Sequence, residues 1–174
     1  MKSQEKSHKA FSLIELSIVI LIIGILVAGV TQSSRLVRAI KLQSARSITL
    51  SSPVNSINNL VAWYETTSEK AIDENEKQNN TEISRWFDIN ATSTLKNDAV
   101  QNNFVNRAKY IENAINGLPV VRFDGVDDFF DFNGQILVGT NYTIFIVEQR
   151  RTNNDTWFFG GASFGYNMCL HLGY

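Results

Sequence analysis

The stretch FSLIELSIVILIIGILVAGV, residues 11–30, decides the fold. As a helix with a rise of 1.5 Å per residue it is about 30 Å long, which matches the hydrocarbon core of a bilayer. The stretch contains no basic residue and a single acidic one, Glu15. Because a domain of ordinary size rarely buries a helix that is apolar on every side, we predict that this helix spans a membrane.

The helical pattern continues beyond the apolar stretch. Apolar residues recur at roughly helical spacing as far as Ile48, basic residues lie between them, and Pro53 then interrupts the pattern. We therefore predict one helix over residues 11 to about 51, apolar in its first half and amphipathic in its second. A cleaved secretory signal peptide is the alternative, and Ala28-Gly29 is a weak cleavage site for it, but signal peptides have shorter apolar runs.

Length and charge divide the chain into two parts. It has 174 residues, which is enough for one domain and an appendage. Its net charge of −1 excludes a strongly basic nucleic-acid binder, so we expect no nucleic-acid partner. Residues 1–46 contain seven basic and two acidic residues, a net of +5, whereas residues 47–174 contain nine and fifteen, a net of −6. Such a split predicts two parts with different roles.

The residues that commonly carry catalysis or metals are scarce. Cys169 is the single cysteine, and the two histidines, His8 and His171, lie at opposite ends of the sequence. This excludes an internal disulfide and a multi-cysteine metal site. The sequence contains no Gly-rich phosphate loop, no G-x-S-x-G and no H-E-x-x-H. We therefore predict that the protein is not an enzyme.

Glu15 is an anomaly in the apolar stretch. A carboxylate costs about 2.5–3.5 kcal/mol at the centre of a bilayer and less near its edge. One interpretation is that Glu15 reaches the headgroups at the N-terminal edge. The other is that it pairs with a cation, which must come from another chain or from a new α-amine, since residues 11–30 contain no basic residue.

Residues 9–30, KAFSLIELSIVILIIGILVAGV, resemble the N-terminal processing and methylation segment of type IV prepilins and pseudopilins. The resemblance implies that residues 1–10 are a cytoplasmic leader, that a membrane-embedded prepilin peptidase cuts between Ala10 and Phe11, and that the new amine of Phe11 is methylated. It also implies that Glu15 pairs with the amine of a neighbouring subunit during assembly. The family usually has glycine at the position of Ala10, so we expect slower processing here.

The region after Pro53 has a β pattern. Segments rich in β-branched and aromatic residues alternate with turn residues. The predicted strands are 60–64, 84–88, 120–123, 129–132, 142–148, 157–159 and 168–172, and the predicted turns are Asn116-Gly117, Asp124-Gly125 and Asn133-Gly134. Residues 66–83 are polar and acidic and predict a loop or hairpin arm. The fold class is therefore α+β, with a long N-terminal helix (11–52) followed by an antiparallel β-sandwich (53–174).

This β region resembles the opening half of concanavalin A-like (laminin G-type) jelly-roll domains. The resemblance rests on LVAWYETT, ISRWFD, INGLPVVRFDGVDDFF and YTIFIVEQ, and residues 116–128 carry most of it. Complete domains of this kind are usually longer, so we expect either a reduced version or a truncated chain with an open sheet edge.

Two clusters in the β region are open to two interpretations each. Four acidic residues, Asp124, Asp127, Asp128 and Asp131, either bind calcium through their oxygens or serve as turn residues. The aromatic residues either form a sugar-stacking face or fill the core, and they are Trp63, Trp86, Trp157 and Phe129-Phe130. Calcium is the one candidate cofactor, and a glycan is the candidate ligand.

Two functions follow from these observations. The first is a pilin-like or pseudopilin-like subunit in the bacterial inner membrane, with a cytoplasmic N-terminus, which prepilin peptidase processes and which assembles with other pilin subunits into a filament. The second is a membrane-anchored, lectin-like module for adhesion to glycans or a surface partner. The sequence leaves open whether the filament is a pilus, a secretion pseudopilus or a DNA-uptake device.

Overall fold

The computed structural model of the protein describes residues 12–139, 141–151, 159–163 and 168–173. Helix α1 spans Leu13–Leu50, and strands follow it, so the predicted α+β layout is confirmed. The chain divides into two compact units, Met1–Ile40 and Lys41–Tyr174. The last turns of α1 therefore belong to the same unit as the strands.

In the first unit, α1 buries none of its side chains. Every described residue up to position 40 is exposed, including Ile18 at 51% and Leu21 at 63%. Among the described residues, this is the one helix that is long and apolar enough to cross a membrane. Its backbone groups are satisfied within the helix, which is the condition for a spanning segment.

The end of α1 is set by residues just beyond it, as predicted from Pro53. A short 3₁₀ turn, Pro53–Ser56, replaces the α-helical path. Because proline has no N–H to donate, it cannot continue the helical ladder. The side-chain amide of Asn55 then donates to the carbonyl of Leu50 at 2.8 Å, which satisfies one of the carbonyls that the helix end exposes.

Eight strands are described after the helix. They are β1 (Thr81–Glu82), β2 (Arg85–Trp86), β3 (Ala99–Val100), β4 (Lys109–Ile115), β5 (Leu118–Arg122), β6 (Phe129–Asn133), β7 (Phe159–Ser163) and β8 (Met168–Gly173). They form a three-stranded sheet in the order β1-β4-β5 and a five-stranded sheet in the order β2-β3-β6-β8-β7. All the pairings are antiparallel.

The hairpin β4–β5 shows how the sequence directs the fold locally. Asn116 and Gly117 connect the strands with φ angles of 54° and 81°. Positive φ at both central residues defines the type I′ turn, which Asn-Gly adopts readily. The predicted turn is confirmed, but β4 was missed, because its alternation is blurred by Glu112 and Asn113.

Both sheets contribute to one hydrophobic core. Tyr110 of β4 is 6% exposed and Phe130 of β6 is fully buried. The Phe130 ring meets Trp86 and Phe123 edge-on, with centroids 6.2 and 6.0 Å away. For Trp86 and Phe130, the structure therefore supports core packing over a sugar-stacking face. Trp157 lies outside the described residues.

Two predicted strands are wrong. Residues 60–64 form no strand, and most of their hydrogen bonds go to side chains: Asp88 accepts from the N–H of Trp63 at 2.9 Å, and Asn90 donates to the carbonyl of Leu60 at 2.6 Å. One backbone bond remains, from the N–H of Ile89 to the carbonyl of Trp63 at 2.9 Å. Residues 142–148 are exposed and belong to neither sheet of the described part. A strand needs a paired neighbour as well as an alternating pattern.

The segment 66–83 is more than the solvated arm that its polar composition predicts. It contains the short strand β1 and places three side chains in the core, since Ala71, Ile72 and Ile83 are at most 2% exposed. The few apolar positions of a polar segment therefore decided its place in the fold.

Candidate functional site

The first turn of α1 is held by two hydrogen bonds of Ser12, one to the side chain of Glu15 and one from the N–H of Ile14. The N–H of Ser12 donates to Oε2 of Glu15 at 2.9 Å, and the hydroxyl oxygen of Ser12 accepts from the N–H of Ile14 at 3.3 Å. The carbonyl of Ser12 accepts from the N–H of Leu16 at 3.1 Å, so Ser12 is the N-cap residue. The Ser-x-x-Glu spacing, readable from the sequence, is that of a capping box, although the Ser12 hydroxyl accepts here from the second helical N–H, that of Ile14, rather than from the third.

The bond from Ser12 gives Glu15 a structural role within its own helix. Its negative charge lies in the first turn, where it also interacts favourably with the positive end of the helix dipole. A carboxylate offers about four lone-pair sites, so one hydrogen bond does not saturate it. Glu15 is exposed, so a further donor can reach it. Ala10 and Phe11, the predicted cleavage residues, lie outside the described residues.

Three of the four predicted calcium ligands come together in the turn before β6. Single carboxylate oxygens of Asp124, Asp127 and Asp128 lie within 4.8 Å of one another. Asp131 is not part of this group: it lies within β6, opposite Val100 of β3. A strand rises about 3.3 Å per residue, so Asp131 lies too far along β6 to join the turn.

Hydrogen bonds within this acidic turn, residues 124–128, hold its backbone. Oδ1 of Asp124 accepts from the N–H groups of Val126, Asp127 and Asp128 at 2.8, 3.2 and 3.4 Å. Oδ2 of Asp128 accepts from the N–H of Asp124 at 2.8 Å. These are the bonds expected of turn residues. The bonds favour the turn interpretation over calcium binding, which the structure does not test.

In the acidic turn, the pKa values of two carboxyl groups are shifted in opposite directions. Burial raises the pKa of Asp128 to about 6, and the nearby charges of Asp124 and Asp127 act in the same direction. For Asp124, burial also acts to raise the pKa, but the backbone N–H donors outweigh it and lower that pKa below its ordinary value.

The last turns of α1 are bonded to the β region within the second unit. Nε of Arg46 donates to the carbonyl of Thr67 at 2.8 Å, and its Nη1 lies 2.7 Å from Oε1 of Glu69. The Lys41 side chain lies against the β4–β5 turn, where a Cβ at Gly117 would be 3.4 Å from its Cδ. Charged side chains, rather than an apolar stripe alone, therefore attach this end of the helix.

Comparison with known proteins identifies the N-terminal part. Residues 6–31 match the family model of the prokaryotic N-terminal methylation motif. No curated protein and no solved structure matches the chain. The matched residues include the capping box and the apolar stretch, so the predicted N-terminal segment is confirmed.

The motif indicates a type IV pilin or pseudopilin-like prepilin substrate. It implies processing by prepilin peptidase and assembly with other pilins, as expected of a structural subunit rather than an enzyme. Together with helix α1, it fits a membrane-anchored, single-pass protein. The jelly-roll identity of the β region is not confirmed by these findings and stays a prediction.

Proposed function

We propose that this protein is a filament subunit of the type IV pilin or pseudopilin class, cleaved between Ala10 and Phe11 and methylated on the new amine. The observation that carries the proposal is the methylation motif over residues 6–31, on a chain whose apolar helix has, in its first turn, a glutamate bonded to the N-cap residue. Residues 1–10 are the leader, residues 11–52 the assembly helix and residues 53–174 the displayed β region.

Glu15 sets the register between subunits. Cleavage creates a cationic α-amine at Phe11, four residues before Glu15. A lone carboxylate is costly in lipid, and pairing with the amine of a neighbouring subunit offsets that cost. The bond from Ser12 keeps the carboxylate at the start of α1, so the carboxylate is already positioned when the neighbour arrives.

The N-terminus lies on the cytoplasmic side of the inner membrane, and the β region is exported. Lys2, Lys6 and Lys9 support a cytoplasmic leader by the positive-inside rule, although basic residues also follow the apolar stretch. In the filament, α1 packs against the helices of other subunits, and the β region, a sandwich of jelly-roll type, faces outward. Two antiparallel sheets with a shared core support this assignment.

Co-expression with a prepilin peptidase tests the cleavage. We expect mass spectrometry to find a mature chain that begins at methylated Phe11. The matched variant Ala10→Gly restores the residue usual in the family and should be processed faster. A chain that keeps Met1 in both forms, while the peptidase cleaves a known substrate, would overturn the proposal.

Substitution of Glu15 tests the assembly step separately. We expect Glu15→Ala to be cleaved at Phe11 but to form no filaments in cells that carry the assembly machinery. Ser17→Ala is the matched control, because the Ser17 hydroxyl only donates to the carbonyl of Ile14 in the same turn. Filaments of Glu15→Ala at wild-type abundance would exclude the register role.

The alternative function, a lectin-like module, rests on the resemblance of the β region alone. The packing of Trp86 and Phe130 in the core gives no support to a sugar-stacking face. Glycan binding therefore stays a prediction, which a glycan array probed with the full-length protein would test.

A further inference from the structure

Two arginines on α1 differ from the cations that follow them. Lys41 lies against Gly117, and Arg46 bonds to Thr67 and Glu69. Arg35 and Arg38 are exposed, and among the described residues neither takes part in an ion pair. The Arg38 side chain makes one long hydrogen bond within its own helix, in which Nε donates to the carbonyl of Ser34 at 3.4 Å.

The residues before these arginines mark a boundary between two environments. The apolar stretch ends at Val30, and three hydroxyl groups follow it. They all donate to carbonyls of α1 itself: Thr31 to Ala28 at 2.9 Å, Ser33 to Gly29 at 2.9 Å and Ser34 to Val30 at 3.1 Å. Hydroxyls satisfied in this way tolerate the edge of a bilayer, because they require no water.

The position of the two arginines matches the headgroup layer. Along the helix, Arg35 lies about 7.5 Å and Arg38 about 12 Å beyond Val30. Side chains on a helix lean toward its N-terminus, which here is the direction of the membrane. Positions three residues apart share a helix face, and arginine side chains extend far enough to reach back to the interface.

We propose that Arg35 and Arg38 bind the phosphate groups of anionic phospholipids in the leaflet that follows Val30. Phosphate fits because a guanidinium offers a planar pair of donors that binds it through two bonds. Binding there holds α1 at a fixed depth in the bilayer before assembly. The proposal rests on the membrane-spanning helix of the proposed function, but on neither its cleavage nor its assembly.

The test measures lipid selectivity of the full-length protein reconstituted in bilayers. Electron spin resonance of spin-labelled phosphatidylglycerol and phosphatidylcholine gives their relative association with the protein. We expect wild type to favour phosphatidylglycerol, by up to about fivefold for each arginine. The double variant Arg35→Gln/Arg38→Gln should lose most of this preference, whereas the matched control Lys41→Gln should keep it. The leader lysines are common to all forms and cancel in the comparison.

Two further measurements separate the phosphate contact from other causes. Arg35→Lys/Arg38→Lys keeps the charge and should keep part of the selectivity, and 1 M salt should reduce it in wild type. Equal selectivity in wild type and the double glutamine variant overturns the proposal. Unchanged lipid selectivity with lost filament assembly in that variant also overturns it, and identifies a neighbouring subunit as the partner. If selectivity depends on the arginines while Phe11 is never exposed by the peptidase, the proposed function fails and this inference stands.

Discussion

Two regions of this chain differ in whether they bury the same kind of side chain. In the first unit, Ile18 of α1 is 51% exposed, whereas in the second unit Ile83 is fully buried. Burying such a side chain is worth roughly 1.5–3 kcal/mol. The second unit gains this energy from its own fold, but the first must gain it from a surrounding bilayer or from other helices. The second unit is therefore stable by its own packing, whereas the first unit needs lipid or other helices around it.

The largest effect is expected from charges in the middle of α1. The double variant Ile22→Asp/Leu26→Asp should cost about 5–7 kcal/mol of membrane insertion, at about 2.5–3.5 kcal/mol for each central charge. Carbonate extraction of membranes should then release the variant, while Ile22→Leu/Leu26→Ile stays with the membrane pellet. Full retention of the aspartate variant would contradict the view that lipid surrounds this unit.

The next largest effect is expected in the core of the β region. Phe130→Ala should lower the free energy of unfolding by about 3–5 kcal/mol, because removal of the ring leaves a cavity next to Trp86 and Phe123. Urea denaturation of the full-length protein in detergent measures this change. The matched control is Phe145→Ala, at a position 89% exposed, where we expect a change within about 0.5 kcal/mol. Equal effects of the two would contradict the assigned core.

A smaller effect is expected where α1 joins the second unit. Arg46→Ala removes the bond to the carbonyl of Thr67, at a cost of about 1.5–3 kcal/mol in unfolding free energy. The ion pair with Glu69 adds little, since the Glu69 side chain is 74% exposed. Arg38→Ala, in the first unit, should change the same quantity by less than about 0.5 kcal/mol. Equal losses of unfolding free energy in the two arginine variants would contradict the boundary between the units.

The acidic turn should make the folding stability of the second unit depend on pH. Asp128 titrates at a pKa of about 6 when folded, against an ordinary pKa of 3.8. Between these values the folded state binds more protons than the unfolded state, so stability should fall as pH rises from about 4 to about 6. Thermal melts over this range should show the fall in wild type and lose it in Asp128→Asn. A slope that survives in Asp128→Asn would assign it to another group.

The smallest effect is expected from calcium. Oδ1 of Asp124 and Oδ2 of Asp128 already accept backbone hydrogen bonds in the turn, so we expect no change in melting temperature on adding millimolar calcium. Magnesium at the same concentration controls for ionic strength. A calcium-specific rise that Asp127→Asn abolishes would show that the turn is a metal site.

The sequence predicted those parts of the molecule that depend on neighbours along the chain. The helix, its end at Pro53 and the turn at Asn116-Gly117 follow from local backbone chemistry, and the structure has all three. The site residue Glu15 was predicted from its charge, but its capping partner Ser12 was not. The charge of Glu15 is conspicuous because a carboxylate is costly in lipid. The bond from Ser12 that holds this carboxylate is predicted only by the Ser-x-x-Glu spacing.

The sheets were predicted less well because strand pairing joins residues that are distant in sequence. Residues 142–148 have the clearest alternation in the chain yet lie in neither described sheet, whereas the polar β4 pairs on both sides. Asp131 illustrates the same limit at the acidic turn, since its place within β6 separates it from its sequence neighbours. Alternation alone predicts which residues favour an extended backbone, and it says nothing about the partner strand.

The sequence by itself determined that this protein has a helix long and apolar enough to span a membrane, with a glutamate near its start, because apolar length and a single charge are properties of consecutive residues. Only the tertiary structure decided which cations of α1 bond to the β region, which of four aspartates meet in one turn and which aromatic residues form the core. Those outcomes depend on contacts between segments far apart along the chain, and no pattern within a single segment specifies them.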